Sequence, residues 1–231
     1  MKKILVTGGE GRFASELGKI KTNLKFVYLS KRQLDILNVN SIIKTINKHR
    51  PSAILHLAGL SRPMDLHEKE ISKSINLNII GTANLVMACL KFKIKIIYFS
   101  TSYLYPGKKG NYKETDPLLP WNNYGWSKLG GESAVQMYKN SLILRVCMTE
   151  KPFVHKKAYS NVVSNFIYQA DLAKMFLRLI NKKGVYNIGG PTKTIYNFAK
   201  KENIKVKKIY SKGIFPLNQD MNLNKMKKIV K

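Results

Sequence analysis

The residue types and spacing at three positions of this sequence suit general acid–base chemistry. Tyr124 and Lys128 are four residues apart near the start of a predicted helix, so their side chains share one helical face. A phenol with a pKa near 10 is a poor proton donor or acceptor at neutral pH, and a neighbouring ammonium is expected to lower that pKa. Thr101 adds a hydroxyl at the end of a predicted strand. These three residues predict a catalytic site that moves a proton.

A glycine-rich turn at residues 7–14 (TGGEGRFA) lies between a predicted strand and a predicted helix. This is the context of a dinucleotide-binding fingerprint, in which the first glycine permits the tight turn and the second lets the backbone approach a pyrophosphate. The amide groups at the start of the helix favour an anion. The turn therefore predicts cofactor contacts from Gly8, Gly11, Arg12 and Phe13.

The end of the second predicted strand indicates which nicotinamide cofactor is preferred. An NAD site usually has an acidic residue there, whereas this chain has Ser30, Lys31 and Arg32. Two cations and a hydroxyl suit a 2′-phosphate, so NADP(H) is favoured and NAD(H) stays open. The alternative is that Lys31 and Arg32 only belong to a lysine-rich surface. Further cofactor contacts are predicted from Asp35, Ile36, Leu57, Ala58, Gly59, Asn78, Ser100 and Lys128.

The elements that must position these residues alternate between strands and helices. Strands are predicted at residues 2–7, 25–29, 53–57, 95–100 and 142–146, with helical patterns at 14–20, 39–49, 68–92 and 123–139. Alternation of this kind predicts an α/β fold, a Rossmann-like doubly wound parallel sheet covered on both faces. We expect residues 1–146 to form the dinucleotide-binding core. Residues 147–231 are expected to form a small substrate-binding lobe, with some elements returning to the core.

Composition narrows the class of protein. The formal net charge is +28, but only six of the 41 basic residues are arginine and the lysines are spread along the chain. This spread suggests a lysine-biased composition with an affinity for anionic ligands, and we expect no nucleic-acid partner. No apolar run reaches the roughly 20 residues of a membrane span, so we expect no membrane partner and a cytoplasmic location. Cys89 and Cys147 are expected to be buried thiols, and no metal site is predicted.

Several motifs together resemble the extended short-chain dehydrogenase/reductase family, and most closely its dTDP-4-dehydrorhamnose reductase branch. They are residues 7–14, 57–59, 78–85 (NIIGTANL), 99–107 (FSTSYLYPG), 112–120 (YKETDPLLP), 124–128, 142–145, 171–173, 184–190 (GVYNIGG) and 221–226 (MNLNKM). The resemblance implies that Tyr124 donates a proton, that Thr101 hydrogen-bonds the substrate carbonyl, and that Lys128 assists Tyr124 and holds the cofactor ribose. It also implies that Asn78 shapes the site.

The resemblance also implies an activity and a substrate class. The chain is expected to reduce a nucleotide-linked 4-keto-6-deoxy sugar with NADPH, with substrate contacts from Ser102, Tyr103 and His155. Two departures concern the substrate: Ser102 stands where the family usually has Asp, and the stretch between Arg145 and Asp171 is short. A sugar-nucleotide epimerase or dehydratase of the same fold, with Cys147 and His155 as candidate bases, remains an alternative. A non-catalytic NADP-binding regulatory subunit is another, and a homodimer is compatible with the sequence.

Overall fold

The core of the molecule is one six-stranded parallel sheet. A computed structural model describes residues 2–213 and 215–230. Its first half consists of β1 (Lys3–Thr7), α1 (Arg12–Gly18), β2 (Lys25–Leu29), α2 (Val39–His49), β3 (Ala53–His56), α3 (Leu66–Lys69), α4 (Ile71–Ser74), a π-helical turn (Ile75–Ile80), α5 (Gly81–Phe92) and β4 (Lys95–Thr101). The second half begins with α6 (Asn123–Gln136) and β5 (Ser141–Val146). It continues with the short strands β6 (Met148–Thr149), β7 (Lys157–Tyr159), β8 (Val163–Ser164) and β9 (Ile167–Tyr168), then α7 (Gln169–Leu179), β10 (Gly184–Ile188), β11 (Lys193–Thr194), α8 (Ile195–Ala199), β12 (Lys207–Ile209) and α9 (Asn224–Val230).

The sheet has the strand order β10-β5-β4-β3-β1-β2, with every pair parallel. The four central strands, β1, β3, β4 and β5, are almost entirely buried because helices cover both faces of the sheet. The chain adds β2 on one side of β1 and then crosses to add β3 on the other, so the direction of winding reverses between β1 and β3. This confirms the predicted doubly wound, Rossmann-like fold, and it places the carboxyl ends of all six strands at one edge.

We predicted one helix over residues 68–92, and this prediction is wrong because the structure interrupts that helix. The chain leaves helical geometry at Glu70, with φ −125° and ψ 62°, and the helix is then underwound into the π-helical turn. This π-helical turn places Asn78 inward, where its side chain bonds Leu60 and Ser127. By length and composition alone, segment Ile71–Phe92 is apolar enough to cross a membrane. The buried hydrogen bonds of Asn78 indicate instead that this helix packs in the core of the protein.

The described residues beyond Val146 contribute to two different cores. Strand β10 joins the large sheet, and buried side chains of α7 and α9 pack in the same apolar cluster as those of β1 and β5. A separate small cluster lies in the remaining part of this region and consists of Phe153, Ala158, Val162, Ile195, Ala199 and Val206. The stretch at 149–166 contains β7 and β8, which pair with β12 and β11 from later in the chain.

Candidate functional site

The residues predicted to transfer a proton lie at the carboxyl edge of the sheet. Thr101 ends β4 and is buried, and the Asn122 side chain caps the start of α6 by accepting from the Gly125 amide at 2.8 Å. The cap places Tyr124 in the first turn of α6, where its hydroxyl and that of Thr101 are hydrogen-bonded. Two residues brought together by different elements therefore share one hydrogen bond.

The electrostatic environment of Tyr124 differs from the expectation. Burial raises its pKa, and this effect outweighs the Thr101 hydrogen bond and the charge of Arg62, which both lower it. The lowering of the Tyr124 pKa that we expected from the Lys128 ammonium is not found, since Lys128 is not among the groups that shift this pKa. Instead, Lys128 Nζ lies over the ring of Tyr98, 4.1 Å from its centroid. Tyr124 is accordingly a protonated phenol at neutral pH, the form that can donate a proton.

Lys128 is itself strongly affected by its surroundings. Burial lowers its pKa to about 7, although the carboxylate of Glu132, one turn further along α6, opposes the shift. Glu132 is buried and its charge is compensated by Arg145, whose guanidinium lies 2.6 Å away. A lysine that titrates near neutrality and is supported by a buried ion pair is a frequent feature of functional sites.

The glycine-rich turn is fastened to the loop after β3 by a buried polar network. Thr7 Oγ1 accepts from the amides of Leu57 and Ala58 at 3.2 and 3.1 Å. His56 joins Thr7 to Thr82 through its two ring nitrogens, at 2.9 and 3.0 Å. Burial and the charge of Lys128 lower the pKa of His56 to about 3, so the ring is neutral. His56 is thus a structural residue that holds two cofactor-site loops together.

The geometry of this turn fits a dinucleotide cofactor. Gly8 has a φ of +64°, and a Cβ there would lie 2.8 Å from the Ala58 amide nitrogen, so only glycine allows this approach. Nearby, the hydroxyl of Ser100 is buried and has no hydrogen-bond partner among the described residues. Buried polar atoms without a partner are uncommon and suggest that a ligand completes the site.

The other predicted cofactor residues lie around this turn in different environments. Ser30, Lys31 and Arg32 follow β2, and the two cations are exposed. Asp35 accepts from the Leu37 amide at 3.0 Å, while Ile36 is buried and its carbonyl accepts from Asn84 at 3.1 Å. The Phe13 ring packs in the core, 4.7 Å from Phe99 between ring centroids, so only its backbone can face a ligand.

Asn78 connects the cofactor loop with the catalytic helix. Its amide nitrogen donates to the Leu60 carbonyl and to Ser127 Oγ, each at 2.9 Å, and its Oδ1 accepts from the Leu60 amide. A Cβ on Gly59 would lie 2.7 Å from Asn78 Oδ1, so the loop comes too close for a side chain. Asn78 therefore joins the loop at Gly59 and Leu60 to α6 at Ser127.

The predicted substrate residues divide into two groups. Ser102 and Tyr103 follow Thr101, and the Tyr103 ring lies 5.8 Å from that of Tyr124 within an aromatic cluster that includes Trp121 and Phe215. His155 lies outside this aromatic cluster, with its ring edge-on to that of Phe153 at 5.4 Å. Burial and the charge of Arg62 lower its pKa, and Glu150 opposes the shift, so His155 belongs to a neighbouring charged cluster.

Sequence reasoning missed several residues around Tyr124. His67 is fully buried with its ring 5.0 Å from that of Tyr124, and Arg62 is close enough to lower the pKa of Tyr124. Trp121 and Phe215 pack at 4.6 Å beside Tyr103. These residues come from separate loops with no spacing in common, so only the abundance of aromatic residues before Tyr124 could have indicated them.

Comparison with known proteins gives relatives that include dTDP-4-dehydrorhamnose reductases and the beta subunit of methionine adenosyltransferase 2. The dTDP-4-dehydrorhamnose reductase of Aggregatibacter actinomycetemcomitans is 29% identical over 202 residues, which cover 83% of this chain and 63% of that protein. The spore coat polysaccharide biosynthesis protein SpsK of Bacillus subtilis is 29% identical over 198 residues, covering 84% of this chain and 66% of SpsK. The chain thus spans slightly less than two thirds of the length of these curated relatives.

A solved structure and a family model support the same relationship. The crystal structure of dTDP-4-dehydrorhamnose reductase from Bacillus anthracis in complex with NADP superimposes with a TM-score of 0.86. It is 24% identical, and the match covers 99% of this chain and 92% of that one, which shows a common fold. The model of the RmlD substrate binding domain matches residues 1–201. This match confirms the resemblance seen in the motifs, and the chain belongs to the RmlD substrate-binding domain family.

Proposed function

We propose that the chain is an NADPH-dependent reductase of a nucleotide-linked 4-keto-6-deoxy sugar. The observation that carries this proposal is the hydrogen bond between Thr101 and a protonated Tyr124, one helical turn from Lys128 and at the same sheet edge as the glycine-rich turn. The names of its relatives, which include dTDP-4-dehydrorhamnose reductases, support the substrate class. The proposal includes a cytoplasmic location and a substrate-binding role for part of residues 147–231.

NADP(H) is the proposed cofactor. The related reductase from Bacillus anthracis was crystallised with NADP, and in this chain two exposed cations follow β2 beside the glycine-rich turn. Gly8, Gly11 and the backbone of Arg12 and Phe13 would hold the diphosphate. Ser30, Lys31 and Arg32 would hold the 2′-phosphate, and Asp35 and Ile36 would lie at the adenine end. Leu57–Gly59, Ser100 and Lys128 would border the nicotinamide half.

The residues of this chain handle the proton of the reaction. The bound cofactor supplies a hydride for the carbonyl carbon. The Tyr124 hydroxyl donates its proton to the carbonyl oxygen, which becomes the product hydroxyl. Thr101 orients Tyr124 through their hydrogen bond, and the charge of Arg62 stabilises the phenolate that remains. Lys128, with a pKa of about 7, is suited to return a proton to Tyr124.

The direct experiment is an assay of the purified protein with NADPH and a panel of nucleotide-linked 4-keto sugars, followed by the loss of NADPH absorbance. We expect oxidation with at least one dTDP-linked 4-keto-6-deoxy sugar and a slower rate with NADH. No oxidation with any member of the panel would reject the reductase assignment. NAD⁺ retained tightly through purification would favour an epimerase or dehydratase, and NADPH binding without turnover would favour a regulatory subunit. Light scattering would test whether the protein forms a homodimer.

A further inference from the structure

Two arginines from distant parts of the chain converge on one carboxylate. Arg62 Nη1 lies 2.8 Å from Glu150 Oε1 and 3.1 Å from Oε2. Arg12 Nη1 is also paired with Oε1, so a single oxygen accepts from both guanidinium groups. The Glu150 side chain is 19% exposed, and the Thr149 hydroxyl donates to it as well. We call Arg12, Arg62 and Glu150 the Arg–Glu–Arg cluster.

The charges of this cluster are not balanced. Two guanidinium groups share one carboxylate, so a net positive charge remains even when Glu150 is in place. Guanidinium groups that bond the same oxygen repel each other, and an anion between them is required to hold them there. A diphosphate offers more charge and more acceptor oxygens than a carboxylate, in a geometry that matches the guanidinium fork.

The location of the cluster points to the kind of anion. Arg12 follows β1 and Arg62 follows β3, the two neighbouring strands between which the direction of winding reverses. In open α/β folds, ligands bind outside the carboxyl ends of the strands at this switch point. Glu150 directly follows β6 and contacts both arginines. Its carboxylate therefore stands where an anionic ligand would meet both arginines.

We propose that Arg12 and Arg62 form a diphosphate-binding pair and that Glu150 is its internal counter-ion, displaced when a nucleotide diphosphate group binds. The proposal deepens the proposed function by giving the nucleotide ligand two further contacts. It assigns Glu150 a role in setting affinity, because binding must first break its pairs with both arginines.

The test compares Glu150→Gln with Glu16→Gln by isothermal titration with inorganic pyrophosphate, NADPH and dTDP. Glu16 lies in α1 and pairs only with Lys19 among the described contacts, so its replacement removes the same charge near the same turn without touching the cluster. We expect Glu150→Gln to bind pyrophosphate roughly fivefold or more tightly, and Glu16→Gln to change the affinity by less than about twofold. The gain should disappear when Arg12 and Arg62 are both replaced by glutamine. The ligand whose affinity rises in the same way in Glu150→Gln, NADPH or dTDP, is the one whose diphosphate binds the two arginines.

Unchanged or weaker pyrophosphate binding by a folded Glu150→Gln variant, or a gain equal to that of Glu16→Gln, would overturn the proposal. If Glu150→Gln does not fold, Arg62→Gln provides the test, because it leaves the Arg12–Glu150 pair and should weaken pyrophosphate binding by roughly fivefold. An unchanged affinity in that variant would count equally against it. A gain in pyrophosphate affinity without any sugar reduction would reject only the reductase assignment, whereas normal reduction without the gain would reject only the role of Glu150.

Discussion

Glu132 and Arg145 form an ion pair that is closed to solvent on both sides, with 2.6 Å between Oε1 and Nη2 and relative exposures of 0% and 2%. Arg145 also donates to the Tyr105 hydroxyl at 2.8 Å and to the Glu114 carbonyl at 3.0 Å. Breaking such a pair leaves a buried charge without compensation. Glu132 lies one turn beyond Lys128 in α6, and its carboxylate raises the pKa of Lys128. The same carboxylate therefore contributes both to the buried ion pair and to the charge state of Lys128.

Replacing Glu132 by glutamine should lower the free energy of unfolding by about 3–5 kcal/mol, because Arg145 would keep its charge in a buried site. Urea denaturation measures the free energy of unfolding. The control is Glu16→Gln, which breaks the solvent-accessible pair with Lys19 and should change that free energy little. A double variant, Glu132→Leu with Arg145→Met, should recover part of the loss. A Glu132→Gln protein as stable as the wild type would contradict the importance assigned to the pair.

Replacing Tyr124 by phenylalanine should reduce turnover by roughly 10²–10⁴-fold, the usual contribution of general acid–base catalysis. NADPH affinity should be almost unchanged, since the substitution removes only the hydroxyl. Tyr138→Phe is the matched control, because that hydroxyl bonds the Cys89 carbonyl at 3.3 Å, away from Thr101. Equal losses of binding and turnover in Tyr124→Phe would argue against a proton-donating role.

His56 should make the stability of the fold depend on pH. Its pKa is about 3 in the folded protein and 6.5 as a free side chain, so the unfolded state binds more protons between these values. Stability from this residue is fully present above pH 6.5 and should fall by about 1.4 kcal/mol per pH unit as the pH drops towards 3. Denaturation from pH 4 to pH 7 should show a shallower slope for His56→Gln. His49→Gln, at a half-buried position where burial and the charges of Lys48 and Lys3 also lower the pKa, should flatten the slope less than His56→Gln.

Gly8→Ala should both destabilise the protein and abolish tight cofactor binding. The residue has a φ of +64°, and its new Cβ would lie 2.8 Å from the Ala58 amide nitrogen. Gly184 is the matched control, since it has a φ of +86° and nothing lies within 4 Å of the position that a Cβ would take there. Gly184→Ala should cost about 1–2 kcal/mol from backbone strain alone. Thermal denaturation and NADPH titration of both variants separate the effect of backbone strain from that of the close contact with Ala58. Equal losses of stability and of NADPH affinity in the two variants would contradict this reasoning.

Local sequence patterns were sufficient for the order of elements and for the location of the main chemistry. Strands with continuous apolar residues and helices with a 3.6-residue period place Thr101, Tyr124 and the glycine-rich turn at one sheet edge, because parallel strands all end on the same side. The interruption of the helix before β4 could not be predicted from such patterns. Its break at Glu70 and its π-helical turn place Asn78 against Leu60 and Ser127, which are distant in sequence.

The sequence by itself determined the fold class and the family, since both depend on local periodicity and on motifs of fixed spacing. Only the tertiary structure decided the electrostatics of the site. The pKa of Tyr124 is raised because the folded protein buries it, and the spacing of Tyr124 and Lys128 contains no information about burial. In the same way, Arg12, Arg62 and Glu150 are separated by up to 138 positions, and only the folded chain brings their charges together.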